Sequence, residues 1–205
     1  MRKFVKIFGI VILCLLLLFL SFLLFLVLKS RLWEKEFVAS LDTEYLVSDG
    51  IVLDDILNGE IESYILSEED TDSITLSPTQ VAQLVYGTLT DVAGDSGLNI
   101  TNVYIVPAIA DWKVCSRLEL KDMWEAHIWV CVDVSKDNMQ TAQLYLKDIQ
   151  CQGFSVSKIY PKLLILANQG IADALVTANE NGFVGRIFEN VELMEEYLVI
   201  KGGLY

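Results

Sequence analysis

The feature that most limits how this chain can fold is an uncharged apolar segment near its N terminus. From Ile7 to Leu28 there are 22 residues without a charged side chain, most of them Leu, Ile, Val or Phe. As a helix, such a segment extends about 33 Å, which matches the roughly 30 Å hydrocarbon core of a bilayer. The sequence therefore predicts a single transmembrane helix over residues 7–28, preceded by a short basic tail over residues 1–6.

Two other interpretations of this segment agree less well with the residues around it. A secretory signal peptide usually has an apolar region of about 7–15 residues and then a small-residue cleavage site, whereas Lys29 and Arg31 directly follow this longer run. A lipoprotein leader would need a small residue before Cys14, and the residue there is Leu13. We therefore expect an uncleaved anchor in the cell membrane. Basic residues flank the span almost evenly, and we expect the short N-terminal tail inside and the long C-terminal part in the extracytoplasmic space.

The chain beyond the predicted span is strongly acidic. All 28 acidic residues lie after residue 30, together with only 11 of the 15 basic residues, so this part carries a net charge of about −17. Such a charge repels phosphate groups, and we expect no nucleic-acid partner. The segment SEEDTDS (residues 67–73) offers oxygen ligands but lacks the spacing of an EF-hand loop. A solvated acidic surface is therefore favoured over a cation site.

Periodicity divides the acidic part into a neck and one domain. Residues 29–76 resemble a stalk and an acidic neck, whereas residues 77–205 are predicted to form an α+β domain. A helix begins after Ser77, because Pro78 takes the first helical position and Gln80 stands where a capping box requires it. A second helix is predicted over residues 161–179.

Between the two helices the apolar residues recur every second position. Four consecutive segments alternate in this way: NITNVYIVPAI, WKVCSRLEL, WEAHIWVCVDV and MQTAQLYLKDIQ. Short connections between such segments are typical of an antiparallel meander with one covered face. The predicted fold class is therefore α+β, with a transmembrane helix followed by a curved antiparallel sheet packed on two main helices. One bent strand or two strands close the chain.

The two central strands can be paired from their side chains. Pairing residues 113–120 with 126–133 puts apolar partners on one face and complementary polar partners on the other. The predicted pairs are Val114–Val132, Leu118–Ile128 and Leu120–Ala126 on the inner face, and Lys113–Asp133, Arg117–Trp129, Glu119–His127 and Cys115–Cys131 on the outer face. In an oxidising compartment Cys115 and Cys131 would form a disulfide, and in a reducing one they would be two small apolar side chains.

Residues that commonly carry chemistry are sparse. His127 is the only histidine, and it is expected to form a surface pair with Glu119 rather than to act as a base. The cysteines and this histidine do not have zinc-ligand spacing, and no phosphate-binding loop or nucleophile elbow occurs in the sequence. We therefore expect no catalytic residues, no metal site and no cofactor.

The start of the second predicted helix is apolar on every side. Leu163, Ile165 and Leu166 there point in different directions, so this turn is either buried on several sides or in contact with lipid, and burial is favoured. Hydrophobic pockets are the usual form of small-molecule sites. The candidate residues for an apolar ligand site on this helix are Leu163, Leu164, Leu166, Ile171 and Leu175.

The C-terminal half also resembles a known family. The segments QLYLKDIQCQGFSVSKIYPKLLILANQGIADAL and ENVELMEEYLVIKG resemble the pattern of YpmS-type single-pass bacterial membrane proteins. More loosely, they are similar to LmeA-like and tubular lipid-binding (TULIP-like) domains. The resemblance covers about residues 99–205 and implies an extracytoplasmic curved sheet that wraps a helix and holds an acyl chain. It implies no catalytic residues.

Together these observations predict a non-enzymatic protein anchored in the cell envelope that binds lipid or another apolar ligand beside the bilayer. The alternative is an interaction or assembly module with an envelope protein partner. Its contact surface would be Trp124, Trp129 and Tyr145, or the acidic neck.

Overall fold

The structure is a computed structural model that describes residues 2–48, 71–94, 97–120, 127–136, 144–180 and 186–204. The chain divides into two compact units, Met1–Ser40 and Leu41–Tyr205.

The first unit is one long helix, α1 (Arg2–Ser40), which includes the predicted span and the stalk residues that follow it. From Ile12 onwards it is long and apolar enough to cross a bilayer, and its apolar window is not buried within the protein. The hydroxyl of Ser21 donates a hydrogen bond of 2.8 Å to the carbonyl oxygen of Leu18, which satisfies a polar group inside an apolar segment. Length and composition fit a membrane anchor, and they equally fit a signal sequence.

The second unit contains two antiparallel sheets, and the predicted α+β fold class is confirmed. The larger sheet has the strand order β1-β3-β4-β5-β6-β7, and the smaller sheet has the order β2-β9-β8. The strands are β1 (Leu46–Val47), β2 (Thr71–Leu76), β3 (Leu98–Val106), β4 (Asp111–Leu120), β5 (His127–Ser135), β6 (Tyr145–Cys151), β7 (Phe154–Ser155), β8 (Arg186–Leu193) and β9 (Leu198–Leu204). The helices are α2 (Pro78–Ala93), α3 (Val156–Ile159) and α4 (Pro161–Glu180), and a 3₁₀ turn covers Thr43–Tyr45.

The domain includes more of the chain than the sequence predicted. Strand β2, which falls within the predicted neck (29–76), pairs with β9 from Thr71↔Gly203 to Leu76↔Leu198. The pairing partner is the last strand of the chain, and such a distant pairing leaves no local signal in the sequence. The predicted neck residues 49–70 lie outside the described residues.

Helix α2 begins as predicted. The hydroxyl of Ser77 accepts a hydrogen bond of 3.2 Å from the Gln80 amide, and the Gln80 side chain accepts one of 2.8 Å from the Ser77 amide. This reciprocal pair is a capping box, and Pro78 follows it at the first helical position. The cap fixes where α2 starts and so which of its side chains face the sheet.

The core lies where α2, the larger sheet and the smaller sheet meet. Helix α2 packs mainly on β3, whose Val103 and Ile105 are fully buried. Among the described residues, the most buried members of the core are Val47, Ile74, Leu76, Ala82, Ala93, Ile100, Val103, Ile105, Trp112, Val191, Leu193 and Leu198. Because these residues come from both sheets and from α2, the second unit has one shared core.

Polar contacts fix the smaller sheet to the larger one. The indole Nε1 of Trp112 donates a hydrogen bond of 2.7 Å to the carbonyl oxygen of Met194. The buried ammonium of Lys136 donates to the Val191 carbonyl oxygen and to the Asn190 side chain. Burial lowers the pKa of Lys136 below its ordinary value. These bonds give buried polar groups their partners, which a buried lysine requires.

Candidate functional site

The paired strands β4 and β5 have the register that the sequence predicted. Val114 lies opposite Val132, and Leu118 lies opposite Ile128. On the other face Lys113 lies opposite Asp133, Arg117 opposite Trp129 and Glu119 opposite His127. The predicted pair Leu120–Ala126 lies outside the described residues, because Ala126 is not among them.

A disulfide joins Cys115 to Cys131 across these strands. The two cysteines are directly opposed in the ladder, with their Cα atoms 4.0 Å apart. Both are buried. This disulfide links the middle of β4 to the middle of β5. The candidate site lies on the other face of these two strands. Cys14 and Cys151 are free thiols, and burial raises the pKa of Cys151.

The face of β4 and β5 that carries the disulfide was predicted to be the outer face of the sheet, but several of its side chains are buried. Trp129 is only 3 % exposed, and Tyr104, opposite Cys115, is 5 % exposed. The amide of Asp42 donates a hydrogen bond of 3.1 Å to the Tyr104 hydroxyl, so the chain that precedes β1 crosses this face. Trp129 is therefore not available as the contact surface proposed for a protein partner. Trp124 lies outside the described residues, and Tyr145 is half-buried.

The opposite face of β4 and β5 lines an apolar cavity of about 340 Å³, here called the α2 cavity. Its lining residues come from α2, β4 and β5, and only Ser116 among them is polar: Val85, Leu89, Val114, Ser116, Leu118, Val130, Val132 and Val134. Small-molecule pockets typically measure about 300–1,000 Å³ and are mostly apolar. The α2 cavity therefore has the size and the lining of a small site for an apolar ligand.

The position of α2 explains why the cavity exists. The helix packs on β3, where Val103 and Ile105 are fully buried, whereas Val114, Val130 and Val132 on the next strands are only half-buried. A helix about 10 Å wide that packs on β3 extends only about 5 Å to either side of its axis, whereas β5 lies about 9.6 Å from β3, two strand spacings away. The uncovered part of the apolar face becomes the cavity.

The predicted ligand residues on α4 do not line this cavity. Leu163, Leu164 and Ile171 are half-buried, and Leu166 is 51 % exposed. The side chain of Leu175 lies outside the described residues. The expectation that the start of this helix is buried on several sides is wrong for Ile165 and Leu166, because α4 rests along β6 and β8 and leaves part of its surface in solvent. The cavity instead uses Val114, Leu118 and Val132, which the predicted register placed on the inner face of the sheet, together with neighbouring side chains.

Two sets of hydrogen bonds, one from each helix, fix α4 and the short helix α3 against β6. The side chain of Asn168 accepts a hydrogen bond of 2.6 Å from the Leu146 amide and donates one of 3.0 Å to the Leu146 carbonyl oxygen. At the start of α3, the hydroxyls of Ser155 and Ser157 donate to the carboxylate of Asp148. These bonds hold the connection between β6 and α4 in one position.

The Asp148 carboxylate is stabilised in its charged form. Burial raises the pKa of Asp148, but hydrogen bonds from Ser155, Ser157, Gln150 and the Ile149 amide outweigh it, so the pKa lies below its ordinary value. A carboxylate that accepts several hydrogen bonds is expected to behave in this way.

We expect Asp148→Asn to lower the free energy of unfolding at neutral pH by about 1–2 kcal/mol, since an acceptor oxygen is replaced by a donor. The folded pKa of Asp148 is depressed, so its contribution is fully present above its unfolded pKa of about 3.9 and is lost as the pH falls through the folded value. Denaturant unfolding of the full chain at a series of acid pH values should show a weaker pH dependence in the variant. Asp173→Asn on the exposed surface of α4 is the control, and identical pH curves for wild type and Asp148→Asn would contradict this role.

Groups that support catalysis or metal binding do not meet at this site. The lining of the α2 cavity includes no acid, base or thiol. Within the described ranges, no three or more His, Cys, Asp or Glu side chains are arranged to hold a metal ion. Only binding through apolar contact is supported by the side chains that line the cavity.

The fold and the cavity define a class of structure, namely a two-sheet α+β domain with an apolar cavity that follows an N-terminal apolar helix. Comparison of the chain with protein-family models, with curated proteins and with solved structures gives no match. The resemblance to YpmS-type and TULIP-like proteins therefore stays a prediction.

Proposed function

We propose that this chain is a membrane-anchored, non-enzymatic protein of the cell envelope that binds the acyl chain of a lipid, or a similar apolar ligand, in the α2 cavity. The observation that carries this proposal is the cavity of about 340 Å³ with Ser116 as its only polar lining residue. The apolar helix α1 supports a position at the membrane. The disulfide between Cys115 and Cys131 supports an oxidising, extracytoplasmic compartment.

The chemistry of the lining selects the class of ligand. Burying a methylene group contributes about 0.8 kcal/mol, so about ten methylene groups contribute about 8 kcal/mol, which corresponds to micromolar affinity before ordering costs. A charged or strongly polar group would lose its hydration against the valine and leucine side chains, with only the Ser116 hydroxyl as a partner. The polar end of a lipid would therefore remain in solvent at the mouth of the cavity.

We expect Val132→Trp to weaken the binding of a fluorescent fatty acid by at least about tenfold, because losing two buried methylene contacts alone is worth about 1.6 kcal/mol. Val132 lies on β5 in the cavity lining, so a larger side chain there occupies ligand volume. Fluorescence titration of the full chain, held in amphipol without free micelles, measures the affinity.

Val92→Trp is the matched control, because Val92 lies on α2, is 75 % exposed and is not in the lining of the cavity. This variant keeps the cavity lining and should bind as the wild type does, so it shows whether an added tryptophan alone changes the measured affinity. Equal affinities for the Val132 and Val92 variants would contradict binding in the α2 cavity. A stoichiometric protein partner recovered by cross-linking in membranes, with no bound lipid, would instead favour the assembly alternative.

A further inference from the structure

The connection between β6 and α4 presents a group of exposed apolar side chains, here called the lysine-flanked tip (residues 158–166). Ile159 is 79 % exposed, Tyr160 52 %, Ile165 58 % and Leu166 51 %. Ile159 ends α3, Tyr160 follows as its C-cap, and Ile165 and Leu166 lie in the first turns of α4. Single exposed apolar residues are normal on protein surfaces, whereas four within eight positions are a concentration that is typical of an interaction surface.

The charge of this region is opposite to that of the rest of the domain. Lys158 and Lys162 are the only charged residues between positions 149 and 172, within a chain whose formal net charge is −13. Both lysines are exposed. An anionic surface would attract the tip and repel the acidic remainder, and this difference would orient the domain.

The tip is held in place from both sides. Before it, Ser155 and Ser157 bond to Asp148 on β6. After it, Asn168 bonds to the backbone of Leu146 on the same strand. The apolar side chains are therefore displayed on a fixed support, and little ordering is needed for them to bind a surface.

We propose that the lysine-flanked tip docks on the surface of an anionic lipid bilayer. Ile159, Ile165 and Leu166 would enter the boundary between headgroups and acyl chains, and Tyr160 would lie at the interface, where amphipathic rings are enriched. Lys158 and Lys162 would reach the phosphates while their methylene stems cover apolar surface. This contact rests on the membrane anchoring proposed above but does not depend on a ligand in the α2 cavity.

Depth-dependent fluorescence quenching tests the contact in the full chain. The native free thiols are removed by Cys14→Ala and Cys151→Ala, and an environment-sensitive label is attached to Ile165→Cys or, as the matched control, to Val92→Cys. The labelled chain is placed in nanodiscs of phosphatidylcholine, alone or mixed with phosphatidylglycerol, that contain a lipid with a nitroxide near its headgroup. Circular dichroism and an intact disulfide confirm that each labelled chain is folded.

We expect strong quenching of the label at Ile165→Cys in the mixed nanodiscs, less quenching in phosphatidylcholine alone, and weak quenching at Val92→Cys in both. Lys158→Gln and Lys162→Gln should each lower the ratio of docked to undocked tip by about fivefold in the mixed lipid. Added salt should reduce the difference between the two lipids.

The outcomes distinguish failure of the tip contact from failure of the membrane anchoring and from failure of ligand binding in the α2 cavity. Quenching at Ile165→Cys no stronger than at Val92→Cys, in a chain that remains in the nanodisc, would overturn the tip contact alone. Equal quenching in both lipids would overturn the anionic preference. Loss of the chain from the nanodiscs would overturn the anchoring and this proposal with it. Fatty-acid binding by the α2 cavity is measured separately and can fail or succeed in any of these cases.

Discussion

Replacing Trp112 by alanine is expected to lower the free energy of unfolding of the second unit by about 3–5 kcal/mol. Trp112 is 2 % exposed and belongs to the core shared by the two sheets. Its indole also donates a hydrogen bond of 2.7 Å to the Met194 carbonyl oxygen, between β8 and β9. The substitution removes a large buried ring and leaves that carbonyl oxygen without this donor, so packing and hydrogen bonding are both lost.

Denaturant unfolding of the full chain in detergent, followed by circular dichroism, measures this effect. Trp112→Phe separates its two parts, because phenylalanine keeps an aromatic ring and removes the N–H donor. We expect this variant to lose only about 1–2 kcal/mol. A loss below about 1 kcal/mol in Trp112→Ala would show that Trp112 does not join the two sheets in the way described here.

Removing the disulfide is expected to have the second largest effect on stability. The cysteines are 16 residues apart in sequence, and closing a loop of about this length stabilises a fold by about 3 kcal/mol in the chain-entropy account. The double variant Cys115→Ala/Cys131→Ala should therefore unfold at lower denaturant concentration than the wild type. Cys151→Ala, a half-buried free thiol on β6, is the control and should change the midpoint much less.

The same cysteines report on the compartment of the domain. When membranes are alkylated under denaturing conditions without reduction, we expect alkylation of Cys14 and Cys151 only, since disulfides persist in oxidising compartments. Alkylation of all four cysteines would place the domain in a reducing compartment and contradict the proposed extracytoplasmic location. It would leave the strand register unaffected.

Features set by neighbouring residues were predictable from the sequence. The capping box of α2 needs only Ser77 and Gln80, three positions apart. The register of β4 with β5 follows from side-chain alternation, because a slip by one residue would place charged residues opposite valines. The opposition of Cys115 and Cys131 is a direct consequence of that register.

Features set by distant packing were not predictable. The pairing of β2 with β9 joins residues more than a hundred positions apart. The predicted register placed Val114, Leu118 and Val132 on the inner face of the sheet, but it does not say how far one helix extends across a sheet. That distance decides whether such residues become closed core or cavity lining. For this reason the sequence predicted an inner sheet face at these positions and did not predict a cavity there.

The same reasoning explains the exposed start of α4. A turn that is apolar on all sides favours burial when only the sequence is considered. In the structure α4 packs on β6 and β8, and Ile165 and Leu166 remain exposed. The lipid-contact interpretation, which was the less favoured of the two for this segment, is the one developed in the proposal for the lysine-flanked tip.

Photo-cross-linking with a diazirine-bearing fatty acid tests the central claim most directly. The full chain is irradiated in amphipol with the probe, and the labelled peptides are identified by mass spectrometry. We predict that the label falls on the lining of the α2 cavity, on peptides that contain Val85 and Leu89, Val114 and Leu118, or Val130 and Val132, and that Val132→Trp abolishes it. Label confined to the peptide containing Leu163–Leu166, or label on the lining peptides that is as strong in Val132→Trp as in the Val92→Trp control, would contradict an apolar ligand in the α2 cavity.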